Sequence, residues 1–502
     1  MKLSALLAAI DPVRVENRRE QDIVGIACDS RQVRPGYLFV AVHGAHVDGA
    51  EYVGDALARG ATAIVGERAG ALAGSHVSVI VRDARVALAG LAVAFYGAPS
   101  GRMGLVGITG TNGKTTIAFM LRDILRAAGR EPGLIGTVEY EIGSRSIPAQ
   151  RTTPDAVTLQ SMLAQMVEAG CLSAVMEVSS HALVQKRTHG IAFDVAVFTN
   201  LTRDHLDYHH TMEEYFEAKA LLFDDLGTGG KTATAVVNLD DPWGRELTER
   251  ISPPGGILTY GTHPEAMVCA EGSRMTQAGT RCRVRTPWGH GRMALHLLGG
   301  FNISNALAAV AAGGAMGIDL EPMLGAVSAI DHIPGRLEEI PTGLGFQVFV
   351  DYAHTDDALE HVLTTLRPIT PGRLLLVFGC GGNRDATKRP AMGAVADRLA
   401  DYTILTSDNP RKENPLAILE QIEGGFASSE RHAVVENRRQ AIEAVVSMAR
   451  RDDVVLIAGK GHETFQELSN RTVPFDDRIV VREACTKRKT EHAGQEEARG
   501  RE

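Results

Sequence analysis

No uninterrupted apolar run in this 502-residue chain reaches the ~18 residues that a membrane-spanning helix requires, so no bilayer-crossing segment is expected. The opening Met1-Lys2-Leu3-Ser4-Ala5-Leu6-Leu7 has the look of a signal peptide. However, Asp11 interrupts it, and Ala9-Ile10-Asp11-Pro12 is no cleavage site. Positive charge is not in excess either. The net charge is −9 and the pI ≈ 6.0, which argues against a nucleic-acid partner, whose binding leaves a basic stripe. Cysteine is sparse and scattered: Cys28, Cys171, Cys269, Cys282, Cys380 and Cys485 form no C-x-x-C pair. That excludes a disulfide framework and a zinc cluster, and points to reduced thiols in a cytoplasmic protein. No internal repeat is present. What remains, 44% hydrophobic and 23% charged, is the profile of an ordinary globular chain. Its length exceeds one core and suggests about three domains.

Three blocks can be read. Residues 1–97 alternate short apolar runs (Tyr37–Val42, Ala61–Val65, Val77–Val81) with Ala-rich helical stretches, and Gly97-Ala98-Pro99-Ser100-Gly101 reads as a linker. Residues 98–333 repeat strand, loop and helix as an α/β domain with a mostly parallel sheet does. Strands are predicted at Leu105–Ile108, Ala174–Val178, Val195–Thr199 and Ala235–Asn238. A second break falls at Ile333-Pro334-Gly335. Residues 334–485 then carry strand candidates Gln347–Val350, Leu374–Phe378, Thr403–Leu405 and Val454–Ala458. The charged stretch 486–502 is expected to be disordered.

Between the strand Leu105–Ile108 and a predicted helix Thr115–Ala128 lies the turn Gly110-Thr111-Asn112-Gly113-Lys114-Thr115-Thr116. Backbone N–H groups at such a helix start can hold phosphate oxygens. Lys114 would meet the terminal phosphates and the Thr115 hydroxyl could ligate Mg²⁺. The common motif G-x-x-x-x-G-K-[ST] needs glycine at 108, where Ile108 stands, so the loop is a variant. The bland alternative is a Gly-rich turn without ligand.

Glu177 ends the apolar run Ala174–Val178, where a Mg²⁺ ligand is expected in a phosphate-loop domain; a capping or salt-bridged glutamate is the alternative. The segment Asn200 to His210 is dense in His and Asp, but no H-x-x-x-H helix or cysteine supports zinc. His205 there is either a metal-site residue or a structural hydrogen-bonder. Thr211-Met212-Glu213-Glu214 is a capping box. On the helix that follows, at about 100° per residue, Lys219 falls in the middle of an arc formed by Tyr215, Phe216, Leu222 and Phe223. An amine there is costly unless it snorkels or is paired.

Taken together and in order, these residues resemble the Mur ligase family, and within it the enzymes that add the third amino acid to the peptidoglycan precursor. The likeness extends from Asp29-Ser30-Arg31 through Thr152-Thr153-Pro154, Glu177-Val178-Ser179-Ser180-His181, Asn200-Leu201 and Asp204-His205-Leu206-Asp207. It continues through Asn302 with Asn305, Gly335-Arg336 and Asp351-Tyr352-Ala353-His354 to Gly459-Lys460-Gly461-His462-Glu463. The resemblance implies a UDP-substrate domain at 1–97, a central ATP domain at 98–333 and a Rossmann-like domain for the amino acid at 334–485. It implies that ATP converts a substrate carboxylate into an acyl phosphate, which an amine then attacks. Lys114, Lys219 and His205 become catalytic candidates, and Gly110–Thr116 with Asn302 and Asp351 become the ATP site. Lys219 would be carbamylated, so that its carbamate joins Thr115, Glu177 and His205 around Mg²⁺. Ser30 and Ala45-His46-Val47 correspond to the UDP pocket. Thr152, Thr153, Ser179, Gln185 and Arg187 correspond to positions on the muramoyl dipeptide. Asp356 stands where many relatives carry proline.

The third block bears on which amino acid is added. Gly379–Asp385, Ser407–Arg411 and Gly459–Glu463 each follow a predicted strand, and strand C-terminal ends of an open α/β sheet share one crevice. Two arginines among acids suit a zwitterion. By resemblance, Arg384, Asp408, Asn409, Pro410, Arg411, Gly459 and Glu463 take meso-diaminopimelate, with Arg411 on the distal carboxylate that lysine lacks. A solvent-facing Arg411 after an Asn-Pro turn is the bland reading. The small-molecule partners implied are the UDP-linked dipeptide, diaminopimelate and ATP, and a monomer is expected. The alternatives are the lysine-adding ligase of the same family, a folylpolyglutamate-synthetase-like ligase, and a nucleotide-dependent switch or scaffold.

Overall fold

The computed structural model describes residues 1–499 except Ala45, His46, Ala73, Ser75, Gln277 and Ala278. Three sheets organise the chain. In the first block the strands Gly25–Ala27, Tyr37–Val40, Ala61–Gly66 and Val77–Ile80 run parallel, with Arg14–Glu16 antiparallel at one edge. The helix Ala84–Phe95 covers one face, and Asp83 caps its start by accepting from Arg85 N at 2.8 Å and Val86 N at 3.0 Å.

The central sheet has eleven strands. Its middle is parallel and made of fully buried apolar runs: Pro132–Ile135, Ser173–Glu177, Gly104–Thr109, Val195–Phe198, Thr234–Asn238 and Ile257–Gly261. Strands apolar on both sides need helices on both faces. One face holds Lys114–Ala127 and Gly300–Ala315, packing Val106, Ile117, Leu121 and Leu307; the other holds Ala156–Glu168 and Met212–Asp224, packing Leu105, Leu163, Phe198 and Phe216. Each such side chain contributes roughly 1.5–3 kcal/mol, and truncating Leu121 to alanine would cost about 2–5 kcal/mol.

The sheet extends at both ends into antiparallel wings absent from the sequence reading: Glu139–Ile142 with Arg145–Pro148, and Val268–Thr276, Gly279–Thr286 and Gly289–Leu295. Along Gly279–Thr286 the arginines at 281 and 283 are exposed while Cys282 and Val284 are buried, the alternation of a half-buried strand.

In the third block Gln347–Asp351, Val454–Ala458, Leu374–Phe378, Tyr402–Leu405 and His432–Val434 lie parallel in that spatial order. Helices cover both faces, as in a Rossmann-like sheet. The hairpin Phe465–Leu468/Arg471–Pro474 stands outside this sheet.

The expected disordered tail is corrected: the last helix, Asp477–Arg499, continues through it. Its residues are mostly good helix formers. Val480, Val481, Ala484 and Cys485 are buried against the third sheet, Arg488 lies 5.2 Å from the Phe346 ring, and Asp477 is locked to Arg438 by a fully buried ion pair at 2.7 Å. All six cysteines are free. No helix among the described residues is long and apolar enough to cross a membrane.

Candidate active site

The strand Gly104–Thr109 delivers the loop Gly110–Gly113 to the start of the helix Lys114–Ala127. Gly113 has φ +88°, and a Cβ there would strike the Asn305 side chain, so glycine is required both by the left-handed backbone and by the close approach. The neighbouring strand-end segment braces the loop. Thr111 N donates to Asn200 O and Asn112 N to Asn200 Oδ1, both at 2.9 Å, and Thr199 Oγ1 donates to Asn112 O at 2.7 Å. Asn305 is held in turn by donating to Asn302 Oδ1 at 3.0 Å, and Asn302 donates to Leu298 O at 2.7 Å. Asn302 and Asn305 therefore sit on the helix that packs against the loop's own helix.

Two lysines converge here. Lys114 Nζ donates to Gly110 O at 2.9 Å and Thr111 O at 2.8 Å; Lys219 Nζ donates to the same Gly110 O at 2.8 Å. The Thr211 cap forms as predicted, accepting from Glu214 N at 3.1 Å, and it sets the helix phase that turns Lys219 inward. Lys219 is 1% exposed, with its amine 4.3 Å from the Tyr215 ring centroid. It buries its amine instead of snorkelling. Burial first, and the nearby Lys114 second, push its pKa well below the ordinary lysine value, against the pull of Asp204. Burial likewise lowers Lys114, opposed by Glu177 and Asp204.

Glu177 is wholly buried. It accepts from Thr115 Oγ1 at 2.9 Å, Thr137 N at 2.8 Å and Thr137 Oγ1 at 3.0 Å. Two cis oxygens around Mg²⁺ lie about 3 Å apart, so the Thr115–Glu177 pair fits a hard divalent cation. Among the described residues no three His, Cys, Asp or Glu side chains gather as a self-sufficient metal cluster, so protein oxygens here supply only part of a coordination shell. His205 adopts φ +57° beside Asp204, with Nε2 3.5 Å from Asp204 Oδ2. Burial lowers the His205 imidazole against the attraction of Asp204. Asp204 is pushed up by its own burial but held below the usual carboxylate range by His205, His354 and Lys388.

Thr152, Thr153, Ser179, Gln185 and Arg187 are brought together at the ends of these strands. Thr153 Oγ1 donates to Glu177 O at 2.8 Å and accepts from Ser179 N at 3.0 Å; Thr152 pairs with Thr137 at 3.1 Å. Arg187 donates to Thr153 O and to Gln185 Oε1, each at 2.7 Å. Ser30 lies on the first block, buried in the turn Ser30–Gln32, where its hydroxyl bonds Asp55. No hydrogen bond joins it to the other five among the described residues. Ala45 and His46 lie outside the described residues.

The three loops of the third block do meet. Glu463 accepts from Asn409 Nδ2 at 2.9 Å and Lys460 Nζ at 2.7 Å, and a Cβ on Gly459 would press against Asp408. Arg384 is exposed, while Asp408 and Asn409 are buried. Arg411, at φ +52°, does not simply face solvent: its Nη1 donates to Gly382 O at 2.9 Å and its Nε lies 2.6 Å from Glu467 Oε2. Asp351 accepts from Ala353 N and Leu337 N at 2.7 Å each, folding the linker onto the third sheet. Arg336 in that linker donates to Thr115 Oγ1 at 3.1 Å, so the third block contacts the phosphate loop directly. Gly335 permits this, since a Cβ there would collide with the Gly461–His462 backbone.

Several participants escaped the sequence reading. Thr137, which orients Glu177, stands in a strand-end loop with no motif signal. Arg389, 1% exposed and bonded to Glu413, Gln421 and Gly381 O, clamps the loop at 379–385 to the one at 406–413. A charged residue on the buried face of the helix Lys388–Leu399 was the available sign. Glu467 had none.

A phosphate loop braced by a second strand end, a buried amine beside it and an amino-acid-sized polar crevice on a third sheet define a nucleotide-dependent ligase. Residues 22–96 match the Mur ligase family catalytic domain, 108–313 the Mur ligase middle domain and 335–461 the Mur ligase glutamate ligase domain. The UDP-N-acetylmuramoyl-L-alanyl-D-glutamate–2,6-diaminopimelate ligase of Geobacillus kaustophilus is 46% identical over 492 residues, covering 97% of this chain and all (100%) of that protein. A solved structure carrying the same ligase name is 35% identical, with TM-score 0.66, covering 93% of this chain and 95% of that one. The MurF ligase of Thermotoga maritima in complex with ADP, at 20% identity and TM-score 0.63 over 92% of this chain and 96% of that one, shares the fold. This chain belongs to the Mur ligase family.

Proposed function

We propose that the protein joins meso-diaminopimelate to UDP-N-acetylmuramoyl-L-alanyl-D-glutamate, using ATP. Full-length likeness to relatives named for that reaction carries the reading, and Arg411 among Asp408, Asn409 and Glu463 suits a substrate with a second amino-carboxyl end.

In this reading the loop Gly110–Thr116 cradles the ATP phosphates, with Asn302 and Asp351 toward adenine and ribose. The dipeptide carboxylate attacks the γ-phosphorus, the bond to ADP breaks, and an acyl phosphate forms. Lys114 swings from the loop carbonyls onto the transferring phosphoryl group and offsets its charge. Bound Mg²⁺ would neutralise phosphate charge and orient its oxygens. Thr115, Glu177 and His205 would hold it, joined by Lys219 as its carbamate. The lowered pKa of Lys219 favours the neutral amine, the form that adds to CO₂.

Thr152, Thr153, Ser179, Gln185 and Arg187 orient the dipeptide, and Ser30 the UDP end. Asp408, Asn409 and Glu463 hold diaminopimelate as its neutral amine attacks the acyl carbon. Phosphate then leaves and a proton is shed to give the amide. The phosphate-loop contacts of Arg336 and Asn112 with the third block suit closure that keeps water from the acyl phosphate.

The deciding experiment is phosphate release with the UDP-dipeptide against a panel of amino acids. Release that requires both the dipeptide and meso-diaminopimelate supports the assignment. Preference for L-lysine or glutamate, or ATP turnover without either substrate, overturns it.

A further inference from the structure

Arg411 is already engaged by a carboxylate of its own chain. The hairpin Phe465–Leu468/Arg471–Pro474 docks on the loop at 408–411 through two backbone-anchored bonds: Arg411 N donates to Glu467 O at 3.1 Å, and Glu467 N donates to Asn409 Oδ1 at 3.0 Å. These fix where the Glu467 side chain emerges, and its carboxylate takes the Nε edge of Arg411 at 2.6 Å. Gly382 O takes Nη1, while Nη2 has no partner among the described residues. Gly381 floors the same spot, with the Arg411 Nη1 group 3.0 Å and the Arg384 side chain 4.0 Å from where its Cβ would stand. Both members remain accessible, at 27% for the Arg411 side chain and 38% for that of Glu467. The crevice thus presents an adjacent fixed positive and negative group at one end.

A lone arginine would select any ligand with a distal carboxylate. An arginine with an acid clamped beside it is complementary to a distal carbon bearing both a carboxylate and an ammonium, and it repels a bare dicarboxylate. Resting on the diaminopimelate reading above, we infer that Glu467 is a specificity-determining residue that accepts the distal ammonium of the substrate, while the free edge of Arg411 takes the distal carboxylate.

The test compares the full-length enzyme with Glu467→Gln, which keeps shape and removes charge. The readouts are the KM for meso-diaminopimelate, the inhibition constant of 2-aminopimelate (which has the distal carboxylate but no distal ammonium), and the KM for ATP as a check on folding. The expected result is a rise of about tenfold or more in the diaminopimelate KM, the effect of losing one charge-assisted hydrogen bond. The 2-aminopimelate constant should stay level or fall, with ATP unaffected. A parallel rise for both amino acids would mean that Glu467 only props Arg411, and an unchanged diaminopimelate KM would mean that it does not reach substrate; either overturns the inference. Wild-type enzyme that turns over no diaminopimelate overturns the assigned reaction first, and this inference with it.

Discussion

The central block and the third block both gather charge at strand ends, but they treat it differently. In the central block the charged groups are desolvated: Lys219 is 1% exposed and Glu177 wholly buried, and neither lysine has a carboxylate within ion-pair distance among the described residues. In the third block the functional arginines stay partly or fully exposed, and Arg411 has a full ionic partner in Glu467. Unpaired buried charge is costly, and the surrounding scaffold must over-determine it. The return is a site whose electrostatics act at short range in low dielectric, as phosphoryl transfer needs. Paired and accessible charge is cheap to exchange for a ligand's charge, as selection between amino acids needs.

The widest separation should come from Lys219. Lys219→Ala is expected to lose about 10³-fold in kcat, with partial recovery on adding a short carboxylate. A mutant of normal rate would remove the contrast at its source. The buried pair Arg438–Asp477 is the place where the third block imitates the central one: both side chains are 0% exposed. Asp477→Asn should destabilise folding by about 3–5 kcal/mol in denaturant titrations with KM values unchanged, and a loss below ~1 kcal/mol would show that burial there carries little energy.

Next comes Arg411→Ala, which should raise the diaminopimelate KM by about 100-fold and leave the ATP KM level. Equal losses for both ligands would dissolve the distinction between a chemical and a selecting site.

The smallest effect concerns the seam between the blocks. Asp357 accepts from Asn112 Nδ2 of the phosphate loop at 3.0 Å. Its hydrogen bond to His361, with its charge, raises that imidazole from 6.5 to about 9. A raised histidine stabilises fully below its unfolded value, so this contribution is complete below pH 6.5 and disappears as pH rises through about 9. His361 is largely exposed, so the term is under about 1 kcal/mol. His361→Gln should flatten the fall in Tm between those limits, and an unchanged slope would assign it to other groups.

Legibility followed the same division. The parallel core strands are continuous apolar runs, and Leu374–Phe378 and Val454–Ala458 are found where periodicity placed them. The wings were missed because Arg281, Arg283 and Arg285 mask an alternation that burial makes plain. The tail was misjudged because its charge suggested disorder, while its helix is anchored by Asp477 and four small or apolar side chains at its start. At the site, the loop at 110–116 and the misplaced Lys219 were visible because local spacing alone makes them odd. The Arg411–Glu467 pair was not, since its members are far apart in sequence and meet only through a docked hairpin.

Sequence by itself determined the phosphate loop, the inward phase of Lys219 and the family, because each depends on residues a few positions apart or on ordered motifs. Tertiary structure alone decided that two lysine amines share the Gly110 carbonyl, that Arg336 reaches Thr115 across blocks, and that Arg411 arrives at the crevice already paired. Those outcomes depend on which strand ends are brought together, and chain order does not encode the separation of charges that meet only after folding.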